Sequence, residues 1–239
     1  MAWTGTRVWE PLQPPTVAHH GRSDLPDPSL KALTIPELEG KPSWEWGNHR
    51  QPKGLKWLYE EPQRSRFGMD EVKWVVFVDD DTWVNVESLH GALRHINPHT
   101  RVAMGSLFHH VYSDTAHFSG GGGFVTSATL ARDMAESLYI TDGCQPRKVN
   151  GAVWNDVFMS TCLHSLRAIM VHSAKFHPGN VAWSDGKGGL RVDPATVLDA
   201  WTVHKVFGPA HAFYSRIQRE YMPGNYPTDF GSLPVPSSA

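Results

Sequence analysis

Three carboxylates in a row, Asp79, Asp80 and Asp81, close the run WVVFV within WVVFVDDDTWVN (residues 74–85). Like charges this close repel, and desolvating them together costs several kcal/mol, so a cation is expected against them. Hard carboxylate oxygens suit Mg²⁺ or Mn²⁺. The competing reading is a plain acidic turn after a core strand. Asp156, in WNDVFMSTCL, stands at the predicted start of a helix, where an acid complements the positive helix end without further purpose. As a chemical group it would be a general base, taking the proton of an attacking hydroxyl. Of 14 histidines, His177 and His204 stand out because each ends or occupies a strand-like run. A histidine in a strand is more often structural than a ligand. Four glycines, Gly120–Gly123, lie between Phe118 and Phe124, and such a run lets backbone approach a ligand where a Cβ would clash. It matches neither GxGxxG nor a P-loop, and taken alone it is also a simple turn.

Each of these groups needs an element to hold it. The apolar run 73–78 predicts a strand buried on both faces, as in a parallel sheet. Ligands of open α/β sheets bind outside the carboxyl ends of such strands, where the acids lie. VESLHGALRHI then reads as an amphipathic helix with Val86, Leu89, Leu93 and Ile96 on one side, ended by Asn97-Pro98. Strands are predicted over 102–107 and 124–126, and a helix over 128–138 with Ser127 as its cap. A further helix over 155–165 is predicted to start with Asn-Asp capping chemistry. LRAIMVHSAKFHP reads as strand, GNVAWSDGKGGL as loop, VDPATVLDAW as a short helix and TVHKV (202–206) as a last strand. GLKWLYEE has helical composition, and Leu55, Leu58 and Tyr59 share a face. Residues 1–54 otherwise contain no convincing strand, so the chain is expected to start partway into its domain. Strands interleaved with helices give an α/β sheet.

The 239 residues suffice for a real core, and 40% hydrophobic with 19% charged residues is ordinary for a globular protein. A formal charge of -2 gives no reason to expect nucleic-acid binding. No segment approaches the roughly 18 unbroken apolar residues of a membrane span, and no signal-peptide pattern opens the chain. Ten tryptophans suit sugar rings as well as core filling. Cys144 and Cys162 read equally as a buried thiol pair or as a disulfide, the latter contributing about 3 kcal/mol in a loop-entropy model.

In this order and at these separations, WVVFVDDDTWVNVESL, FSGGGGFVTSATLA, WNDVFMSTCL, FHP and WTVHKV resemble the Fringe-like β1,3-glycosyltransferases (glycosyltransferase family 31). Among them the chain looks closest to the core 1 β1,3-galactosyltransferase branch. The resemblance covers roughly residues 43–206 and touches GRSDLPDPSLKALTIPELEG more weakly. It implies a GT-A fold (a Rossmann-like mixed sheet flanked by helices), here incomplete at the N-terminal end. It also implies a UDP-sugar donor, Mn²⁺ or else Mg²⁺, and inverting β1,3 transfer of galactose or an N-acetylhexosamine to a hydroxyl of a glycan or glycoprotein. In that scheme Asp81 is the metal ligand, Asp79 and Asp80 line the nucleotide and donor sugar, and Gly120, Gly121 and Gly122 lie beside the donor. Asp156 is the base. The ligand histidine is His204, with His177 in reserve, because the alternative family position just beyond FH is Gly179 here. Cys144 and Cys162 match a cysteine pair of the family, which favours a disulfide and a Golgi or secretory-pathway lumen. Residues 1–42 are then an irregular N-terminal segment, 43–220 the catalytic domain and 221–239 an extended tail. Family members usually carry a membrane anchor and a first strand–helix unit for uracil, neither of which is read in this chain. A non-catalytic nucleotide-sugar- or glycan-binding remnant of the fold is the alternative. A Mg²⁺ phosphohydrolase is a weaker third, as no phosphate-binding Lys or Ser with a spaced second acid can be placed.

Overall fold

The computed structural model describes residues 2–4, 16–17, 32–33, 49–79, 81–109, 116–140, 144–146, 148–149, 152–181, 183–184, 190–191, 194–206 and 214. In chain order the framework runs β1 (Ala2–Thr4), α1 (Arg50–Tyr59), β2 (Val72–Phe77), β3 (Trp83–Val84), α2 (Val86–Leu93), β4 (Val102–Gly105) and β5 (Phe124–Ser127). It continues through α3 (Ala128–Ser137), α4 (Asn155–Ser165), β6 (Ile169–His172), β7 (Phe176–His177), α5 (Pro194–Asp199) and β8 (Thr202–Val203). Residues 1–54 therefore hold short strands after all. Besides β1, Thr16–Val17 pairs in parallel with Ala32–Leu33. Such pieces are too short to carry a hydrophobic period, and their pairing rests on main-chain hydrogen bonds that composition does not reveal. The stretch predicted as loop after residue 179 likewise contains a small antiparallel pair, Trp183–Ser184 with Leu190–Arg191.

The main sheet has the order β1-β2-β5-β4-β6. The acid-bearing strand β2 is central, as its apolar run predicts, but both its neighbours run antiparallel. Only β4 and β6 pair in parallel, with Ile169 opposite Val102. The expectation of a parallel setting for β2 fails for a physical reason. Continuous burial reports that both faces are covered and is silent about strand direction. Alternation divides the two faces cleanly. Val75 and Phe77 pack with Leu55 of α1, Leu130 and Met134 of α3, and Phe158 and Met159 of α4. Trp74 and Val76 pack on the other side with Leu89 and Leu93 of α2, Met104 and Phe176. Phe77 stacks on Phe124 at 4.7 Å between ring centroids. Each such large side chain contributes about 1.5–3 kcal/mol by leaving water.

Caps set where the helices begin. The Asn85 side chain accepts from Ser88 N at 3.2 Å, and Ser127 Oγ accepts from Leu130 N at 3.4 Å, as the sequence predicts for α3. α4 spans the predicted residues, but its N-cap is Trp154, which makes no side-chain cap bond. The acid works one step further in: Asp156 Oδ1 accepts from Val157 N at 2.8 Å. Cys144 and Cys162 form a disulfide that ties the turn after α3 to the body of α4. No helix among the described residues is long and apolar enough to cross a membrane.

Candidate metal and transfer site

A small second sheet, ordered β7-β8-β3, assembles the site. β3 starts just past the acids and pairs antiparallel with β8, Trp83 opposite Val203. β8 pairs in parallel with β7, His177 opposite Val203. The chain beyond β8 is thereby led back to the acids, where Val206 N donates to the Asp81 carbonyl at 2.8 Å. The acidic end is itself a turn, with Thr82 N donating to Asp79 O at 3.2 Å. As a result Asp79, Asp81 and His204 each present a ligand atom, all within 4.8 Å of one another. Ligands of a cation bound at about 2.1 Å stand roughly 3–4 Å apart, so the three can share one hard divalent ion. Asp80 lies outside the described residues.

The imidazole is oriented for this task. His204 Nδ1 lies 2.9 Å from the carbonyl oxygen of Pro178, which can only accept, so Nδ1 carries the proton. Nε2 then offers its lone pair toward Asp81 Oδ1 at 3.3 Å. A neutral ring in that pose sets two acceptors face to face, an arrangement that a cation between them relieves. A backbone carbonyl fixing the far nitrogen is the usual support of a histidine ligand. Both side chains are mostly buried, His204 18% and Asp81 21% exposed, which weakens solvent screening of the acids. His177, the reserve candidate, does not join this group. Burial pushes its imidazole below the ordinary range, partly opposed by the charge of Asp199, and so favours the neutral ring.

The glycine run is the joint between the Asp79, Asp81 and His204 group and Asp156. A Cβ on Gly121 would fall 2.1–2.4 Å from three atoms of the His204 ring. A Cβ on Gly120 would press on Asp156 Cβ at 3.2 Å, and Gly120 N donates to Asp156 Oδ2 at 3.3 Å. Gly122 abuts Pro178, and Gly123, at φ +74°, packs against the carbonyl of Phe77 at the end of β2. The same glycines thus leave room for the protein's own imidazole, carboxylate and strand end. Two threonines that sequence reasoning passed over clamp the loop. Thr82 Oγ1 donates to the Gly121 carbonyl at 2.8 Å, and Thr202 Oγ1 donates to that of Gly122. Their only signal was adjacency to the acids and to His204.

Asp156 stands at the first turn of α4 with both oxygens engaged by main-chain amides, and each oxygen keeps a lone pair for a proton. Phe158, Met159, Cys162 and Leu163, all buried, hold the rest of the helix, and Phe118 N donates to Ser160 Oγ at 3.0 Å. Beside Asp156 the ring of Trp154 is 53% exposed, an apolar face at the site's edge. A model of the Fringe-like family matches residues 23–182. The matched span takes in the acids, the glycine run, Asp156 and both cysteines, and ends before His204.

Proposed function

Because the chain belongs to the Fringe-like family and is therefore a glycosyltransferase of GT-A fold, we propose that it moves galactose or an N-acetylhexosamine from a UDP-sugar to a glycan hydroxyl. In this reading the linkage formed is β1,3, the anomeric centre inverts, and the core 1 branch is the nearest kin. The observation that carries it is the oriented lone pair of His204 beside Asp79 and Asp81, joined through Gly120 and Gly121 to a carboxylate. Mn²⁺ held by Asp79, Asp81 and His204 would supply Lewis-acid charge neutralisation to the departing diphosphate. The remaining work falls to the chain. Asp156 accepts the acceptor's hydroxyl proton while that oxygen attacks the anomeric carbon, and the bond to UDP breaks on the opposite side. Its two amide contacts fix the orientation of the carboxylate. Asp80 and Gly120–Gly122 are assigned to the donor side. The catalytic unit is assigned to residues 43–220, with 1–42 and 221–239 as flanking segments, and a disulfide of this kind suits an oxidising secretory lumen such as the Golgi.

The test is UDP release with added Mn²⁺, donor and a panel of glycan acceptors. Asp81→Ala should abolish metal-dependent turnover. Asp156→Asn should lower it by about 10²–10⁴-fold while UDP still binds. Normal turnover by Asp156→Asn would remove the assigned base. UDP binding without turnover on any acceptor would make the chain a binding module instead.

A further inference from the structure

Lys205 has a backbone conformation that side-chain-bearing residues seldom adopt, with φ +60°. The strain is held in place from both sides. Its carbonyl accepts from Asn180 Nδ2 at 3.2 Å, and the buried Tyr214 braces Asn180 by donating its hydroxyl to Oδ1 at 2.7 Å. Its two chain neighbours both touch Asp81, His204 through the ring at 3.3 Å and Val206 through its amide at 2.8 Å. The amide that meets the Asp81 carbonyl is that of Val206, so the register set by Trp83 opposite Val203 slips by one residue and the chain bulges at Lys205. In a regular strand successive side chains alternate faces, so a residue after His204 would project away from the site. The left-handed turn at Lys205 breaks that alternation. Strain that the surroundings maintain this close to a reaction centre points to a use for the side chain.

The charge of the site points the same way. A divalent cation would be balanced by Asp79 and Asp81 alone, while Asp156 and a diphosphate would add further negative charge. The lysine at position 175 is spent elsewhere, paired with Asp199 and lying 5.6 Å over the Trp201 ring. Lys205 is exposed, and its ammonium forms no ion pair with any described residue. Resting on the metal-dependent transferase reading, we propose that Lys205 is the cationic group that binds a substrate oxyanion beside the metal site. The oxyanion is either the diphosphate of the donor or the carboxylate of an acidic acceptor sugar.

The full chain, with Lys205→Ala, Lys205→Gly and Lys205→Arg, is titrated with UDP in the presence of Mn²⁺, and KM is measured for neutral and uronic-acid acceptors. For a donor diphosphate, the Ala and Gly variants bind UDP about tenfold more weakly, as expected for one lost charge-assisted contact, and Arg largely restores binding. Lys205→Gly should at the same time raise the melting temperature, since glycine tolerates this φ. Affinity and stability then move in opposite directions, which a merely structural lysine does not produce. Unchanged UDP affinity with a raised KM for acidic acceptors alone assigns the charge to the acceptor. Wild-type behaviour of Lys205→Gly toward UDP and every acceptor overturns the proposal and leaves the transferase reading standing. A wild-type chain that binds no UDP with Mn²⁺ overturns both.

Discussion

The five-stranded and the three-stranded sheet are held by opposite means. The main sheet is fastened by bulk: Trp74, Val75, Val76 and Phe77 are all buried, and rings and aliphatic chains from four helices cover its faces. Packing of that kind degrades gradually, because a lost methylene costs about 1 kcal/mol and neighbours relax into the gap. The three-stranded sheet is fastened by the absence of bulk and by a few directed bonds. Its His204 rests on a bare Cα, and its loop carbonyls are clamped by two threonine hydroxyls. The first region should tolerate conservative change; the second should fail on the addition of one carbon.

The sharpest way to break that contrast is Gly121→Ala. Its methyl group would occupy the position of the His204 ring, so affinity at the proposed Mn²⁺ site should fall by about 100-fold, read by metal titration. Gly91→Ala, on a helix with open space around it, is the control and should stabilise by about 1 kcal/mol. Equal effects on metal binding from the two substitutions would refute the distinction. Next in size is the disulfide. Replacing Cys144 and Cys162 together by Ser should cost about 3 kcal/mol in denaturant unfolding, because the bridge closes an 18-residue separation. The helix it anchors also carries Asp156, so the rate should drop with little change in metal affinity. The smallest effect lies outside both sheets. Hydrogen bonds from Arg64 hold the Asp70 carboxyl below the usual range, helped by the charges of Arg64 and Arg132. A depressed carboxylate contributes stability above its unfolded value near 4, and loses it as pH falls toward the folded value. Asp70→Asn should therefore flatten the acid limb of the unfolding midpoint below about pH 4 and leave the neutral region nearly unchanged.

What could be read in advance follows the same division. The span of α4, the cap at Ser127 and the buried acid-bearing strand were legible because periodicity and local hydrogen bonding define them. The antiparallel neighbours of β2 were not, since direction is set by how distant segments connect. The three acids could be singled out by type, and the two histidines by their places in strand-like runs. The preference for His204 over His177 came from resemblance, while its physical ground lies in the carbonyl of Pro178, 26 residues away in sequence. Nor could any pattern tell that four identical residues in a row have four different neighbours.

That last property makes length, more than composition, the sensitive variable in the Gly120–Gly123 run. Each glycine has its own nearest partner: a carboxylate, an imidazole, a proline ring and a strand carbonyl, in that order. Inserting a fifth glycine would add no volume and no charge, yet every partner downstream of it would inherit its neighbour's seat. The segment works as a ruler, and a copying error of one codon would misalign Asp156 and His204 at once.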